Sequence, residues 1–187
     1  MNKNGFKYFY WGFLLIMLDI RLWGVDILPD VAGYIFFALG FSNLLENSFH
    51  FAKGKNFNLP MILLSIFQAY EPVNSQQSGI NMGPLGGFGV LIGLLSLVLG
   101  LFVTYHLCMG IRDMAEQAGE DSIYDDIYVE AEKRWKQFLA ISIATLLSFV
   151  VAFIPFLAFF YFVGIIIASI LLMIRFMQLM KKCELNL

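Results

Sequence analysis

Charge is what this sequence has least of: Asp, Glu, Lys and Arg make up 14% of its 187 residues, against 59% hydrophobic. An ordinary soluble chain is about one-quarter charged, and a fold of this length has too little interior to hide so much apolar surface. A water-borne globule is excluded. There is no surplus of positive charge either, because twelve Lys and Arg stand against fourteen Asp and Glu, for a net charge of -2. Without a basic excess to displace counterions from a phosphate backbone, nucleic acid is not a partner. Cysteine is scarce. Cys108 and Cys183 close apolar runs that the topology below places in the cytoplasm, where thiols stay reduced, so no disulfide is expected. Catalytic signatures are missing: there is no G-x-S-x-G, no H-E-x-x-H and no Gly-rich phosphate loop. Lipidation signals are missing too, with no Gly at position 2 and no C-terminal CaaX box. No catalytic residue, cofactor or metal is therefore expected.

What the sequence does have is aromatic and aliphatic bulk, with 20 Phe, 8 Tyr and 3 Trp. That composition suits a chain that meets lipid at its sides and headgroups at its ends. Apolar runs long enough to approach a hydrocarbon core of about 30 Å predict one all-α domain over 1–187. Six spans are expected, at about 6–23, 29–49, 58–73, 85–111, 137–154 and 157–180. The first begins like a secretory signal, but no small-x-small cleavage site follows, so it reads as a retained helix. Pro29 suits the first turn of the second helix, and Asp30 beside it complements the helix dipole. Lys53, Gly54, Lys55 and Asn56 read as a short loop, with Asn58 as the cap of the third helix. Pro155 predicts the turn between the last two spans. Positions 122–135 place Ile123, Tyr124, Ile127, Tyr128, Ala131 and Trp135 on one side with acidic residues opposite, which predicts an amphipathic helix on the membrane surface.

The distribution of basic residues sets the topology. With six crossings, eleven of the twelve lie on one side: Lys3, Lys7, Lys53, Lys55, Arg112, Lys133, Arg134, Lys136, Arg175, Lys181 and Lys182, leaving only Arg21. By the positive-inside rule that side is the cytoplasm, and both termini are there.

Three groups of residues are candidates for more than lipid contact. The first is the stretch LDIRLWGVDILPDVAGY, which packs Asp19, Arg21, Asp26 and Asp30 into a polar hinge between two apolar runs. Ionisable groups at such depth are costly and usually paired. The hinge reads as a structural ion pair between helices one and two, an outward-facing cation or proton site built from the three Asp, or an anion or headgroup site at Arg21. The second is the fourth helix, where Gly86, Gly89, Gly93, Ser96, Gly100 and Thr104 fall within about 80° of one another and form a groove of small residues. It predicts close helix packing within the chain, or else a homo-oligomer contact. The third is YHLCMGIRD, with His106, Cys108, Arg112 and Asp113. His and Cys two apart do not share a helix face, so a metal site there would need two further ligands. His50, on the same side, is the only other histidine.

Asp26-Ile27-Leu28-Pro29-Asp30 followed by Gly33-Tyr34, after a first helix ending in Asp-x-Arg, resembles a family of small multi-pass membrane proteins of Gram-positive bacteria. The segment HLCMGIRDMA with Arg134-Trp135 after it is similar to the same family's middle region. The resemblance implies a bacterial cell membrane and supplies no catalytic residues. The expected function is that of a non-enzymatic transporter or channel-like component, or a membrane accessory subunit. The alternative is an intramembrane enzyme acting on a lipid or lipid-linked substrate. Expected partners are membrane lipids, and a second copy or a membrane subunit.

Overall fold

The computed structural model describes residues 3–17, 21–22, 25–26, 30–68, 87–119 and 121–187. Helix α1 runs Asn4–Met17, and by Arg21 the backbone has left helical geometry. Strand β1 (Arg21–Leu22) pairs antiparallel with β2 (Val25–Asp26), in a register that sets Arg21 opposite Asp26. Five helices follow: α2 (Asp30–Leu44), α3 (Phe49–Gln68), α4 (Gly87–Ala118), α5 (Ser122–Val151) and α6 (Pro155–Asn186). Each packs chiefly against its neighbours in sequence, and α6 returns to α1, so the six close into a ring.

Among the described residues three helices, α4, α5 and α6, are long and apolar enough to cross a membrane, where the sequence predicts six crossings. Helices α1 and α2, at 14 and 15 residues, are only about 21 to 23 Å long at the helical rise. The run-length reading counted Arg21 and Leu22 as helix, whereas they turn into the β1–β2 ladder. Helix α3 has the length but not the apolarity, because Lys53, Lys55, Asn56 and Asn58 fill its first half. That basic segment is helix rather than loop. Gly54 is tolerated there because it makes room, since a Cβ on it would meet the Phe41 ring at 2.6 Å (Cζ). Asn58 is not a cap either. It is buried mid-helix, and its Nδ2 donates to the Tyr34 carbonyl at 2.7 Å, tying α3 to α2.

The amphipathic stretch at 122–135 is likewise not a separate surface helix. It forms the first half of α5, and no Pro or Gly between Ser122 and Val151 interrupts the 30-residue helix. Gly119, at φ 124, ends α4 in a conformation that favours glycine. Between α5 and α6 the turn closes through the Ala152 N–H on the Ser148 carbonyl and the Ile154 N–H on the Val151 carbonyl, with Pro155 opening α6.

The core lies toward one end of the ring. Phe9, Phe41, Phe51, Leu107, Ile127 and Phe176, one from each of the six helices, are fully buried there. At the other end the α5–α6 hairpin stands bare, with Phe153 82% and Phe156 80% exposed. Water would punish such a surface and a hydrocarbon core would not. The closest packing joins α1 to α2. Gly5 and Gly12 on α1 face Gly40 and Gly33 on α2, so that a Cβ on Gly5 would stand 2.8 Å from the Gly40 carbonyl oxygen and one on Gly40 would stand 2.9 Å from Phe9 Cζ. Where lipid is as apolar as the helices, such close approach is what holds two of them together.

Candidate functional site

The polar residues that the structure gathers lie at the core end of the ring. Lys3 Nζ reaches the Leu185 carbonyl at 3.5 Å, which brings the start of α1 beside the end of α6. The α2–α3 junction joins them, because Gln117 near the end of α4 donates to the Asn47 carbonyl at 3.5 Å. Ser48 shapes that junction. Its hydroxyl accepts the His50 backbone N–H at 3.1 Å, as an N-cap does, and donates to Asp113 Oδ2 on α4.

Capped in this way, α3 presents His50 to α4. The two Nδ1 atoms of His50 and His106 stand 2.9 Å apart, so one ring donates and the other accepts. Only one of the two Nδ1 atoms can carry a proton while that bond is made. Phe57 stacks on the His106 ring at 5.5 Å between centroids, 8° from parallel, and Tyr105 meets both imidazoles edge-on. Lys53 lies over Phe49, 4.5 Å from its centroid. The site is thus an aromatic box around a hydrogen-bonded histidine pair.

Beside it, charged side chains lace α4, α5 and α6 together. Arg112 on α4 lies 4.2 Å from the centre of the Tyr128 ring, donates to the Tyr128 hydroxyl, and comes within 3.8 Å of Glu132. Arg134 pairs with Glu130 at 2.6 Å and with Gln137 at 2.9 Å. Lys182 on α6 bonds Asp126 and reaches Glu130 at 3.3 Å. Burial lowers the Lys182 ammonium and the two carboxylates outweigh it, leaving it above the usual lysine range. The hydrogen bond and charge of Lys136 hold the Glu132 carboxyl below its usual range.

No family model, curated protein or solved structure matches this chain. Its chemistry rests on the geometry. Asp113, Asp126, Glu130 and Glu132 are each engaged by a hydroxyl or a cation, so they do not form an open acid–base pair. Among the described residues no three His, Cys, Asp or Glu side chains come close enough to hold a metal ion.

The expected sites meet different fates. Of the hinge, Asp19 lies outside the described residues, the backbone sets Arg21 opposite Asp26, and Asp30 opens α2. Of the small-residue groove, Gly86 lies outside the described residues. Around Gly93 and Gly100 a Cβ would meet nothing within 4 Å, so among the described residues no other helix packs on those positions as expected. Gly54 on α3 and Gly110 on α4 each admit a neighbouring ring, and the glycines of the α1–α2 contact are spaced seven apart on each helix. That spacing was readable, but single glycines far from a G-x-x-x-G pair do not advertise themselves. The His50 pairing with His106 depends on the α3–α4 crossing, which no local pattern announces.

Proposed function

We propose that this chain is a non-enzymatic component of a bacterial cell membrane, an accessory subunit that traverses the bilayer with all six helices and keeps both termini in the cytoplasm. The observation that carries the reading is the meeting of Lys3 with Leu185 at the end where the α2–α3 and α4–α5 junctions also gather. That arrangement supports an even number of crossings with eleven of the twelve basic residues on one side, in keeping with the positive-inside rule. The tied-off carboxylates, and a core plugged by Phe9, Phe41, Phe51 and Phe176, favour a packed subunit over an open channel. The resemblance of Asp26 to Tyr34 to small bacterial multi-pass proteins supports the choice of membrane.

Single-cysteine labelling in intact cells tests the reading. A membrane-impermeant maleimide is expected to label Gln76→Cys at once and Asp121→Cys only after the membrane is opened. The opposite order would sink the topology. Purified chain in liposomes is expected to pass no ions above protein-free vesicles, and a selective flux would replace the accessory reading with transport.

A further inference from the structure

The outer face of the α5–α6 hairpin carries a continuous groove. Three concavities, of about 400, 290 and 500 Å³, adjoin along it and share Ala140. Small side chains make its floor: Ala140 and Ala144 from α5, Gly164 and Ala168 from α6. A Cβ on Gly164 would meet nothing within 4 Å, so none of the described residues occupies the floor there. Toward the tip, the Tyr161 hydroxyl donates to the Ala144 carbonyl at 2.7 Å and bridges the two helices.

At the core end the groove changes character. Arg175 lines it, and among the described residues its guanidinium makes no hydrogen bond or ion pair. Lys133 and Lys136 line the adjoining mouth with Glu132, whose charge is answered by Lys136 at 2.8 Å and Arg112 at 3.8 Å. The mouth is therefore cationic. At the helical rise, Arg175 stands about 30 Å along α6 from Pro155, and Lys133 about 27 Å along α5 from Val151. With the tip at one surface of a hydrocarbon core about 30 Å thick, these cations sit at the headgroup level of the other.

We propose that this groove binds an anionic phospholipid, with an acyl chain along the Ala140–Gly164 floor and the phosphate on Arg175. An apolar channel one bilayer leaflet or more in length, ending in unneutralised positive charge at the interface, complements such a lipid in both parts. A zwitterionic headgroup would bring its own cation against Lys133 and Arg175. The inference rests on the α5–α6 hairpin crossing the membrane.

The test is native mass spectrometry of the full chain in a non-ionic detergent, with dioleoylphosphatidylglycerol or dioleoylphosphatidylcholine added. The phosphatidylglycerol adduct is expected to dominate. Arg175→Gln should weaken it about fivefold, the value of one interfacial cation, whereas Lys181→Gln, at the same end but outside the groove, should leave it unchanged. Gly164→Leu fills the floor without a clash at its Cβ and should remove the adduct with all cations in place. Equal binding of the two lipids, equal loss in Arg175→Gln and Lys181→Gln, or a photo-crosslinker at position 164 that captures a polypeptide instead of lipid would each overturn the proposal. An Asp121→Cys variant that labels from outside would instead overturn the topology on which it rests.

Discussion

The carbonyl oxygen of Gly33 lies 3.0 Å from the point where a Cβ on Gly12 would sit, and the carbonyl oxygen of Gly12 lies 3.0 Å from a Cβ on Gly33. Two helices that touch through reciprocal glycines have no slack. Any side chain at either position must push α1 away from α2, and with it the Phe9, Phe37 and Phe41 rings that interlock at 4.8 and 5.5 Å.

Gly12→Leu is accordingly expected to destabilise the folded chain by about 1 to 3 kcal/mol or more, the cost of overpacking. Gly93→Leu, in open space on α4, should leave the melting temperature in detergent near that of the wild type. Melting curves followed by size-exclusion chromatography compare the two, and equal losses would show that the α1–α2 contact is not the tight one.

The histidine pair makes a prediction of a different kind. Replacing His50 by Ala leaves the buried His106 without its ring partner, at a cost of about 1 to 3 kcal/mol. A double-mutant cycle with His106→Phe, which keeps a ring against Phe57, is expected to give a coupling of about 0.5 kcal/mol or more. Additive effects would mean that the imidazoles touch without bonding.

Lys182 gives a pH dependence at the alkaline end. Its folded-state pKa is raised, so the stability it contributes is complete below the ordinary lysine value of 10.5 and is lost as pH climbs through the raised one. Melting temperature should therefore fall more steeply for the wild type than for Lys182→Gln as pH rises above 10.5. Parallel curves would remove the Lys182 bridge from the forces joining α6 to α5. The Glu132 carboxyl, held low by Lys136, acts in the opposite direction: its contribution is present above 4.5 and lost as pH falls.

Much of the architecture was legible in advance where a local rule decides it. The apolar stretches from Gly89 and Phe138 onward became α4, α5 and α6, because lipid-compatible helices are written in composition and length. Pro155 ended one helix and began the next, because its ring fixes φ. Elsewhere local rules conflicted and the fold chose. Lys53 to Asn58 looked like a loop and a cap, yet Phe41 packing on Gly54 and the Asn58 bond to Tyr34 drew them into α3. The polar half of α5 looked like a surface helix, yet Arg112 and Lys182 hold it upright against α4 and α6.

By itself, then, the sequence determined the solvent: 14% charge and 59% hydrophobic residues leave a chain of this length nowhere to fold but in lipid. It also determined which side chains were available at the ends of the helices. Only the tertiary structure decided their partners. His50 meets His106 across 56 residues and Lys182 meets Asp126 across the same distance in sequence. The reason is physical: periodicity fixes which face of a helix is apolar, but the crossing of two helices depends on the shapes of both, and here glycines on α1, α2 and α3 set how near the neighbouring helix comes.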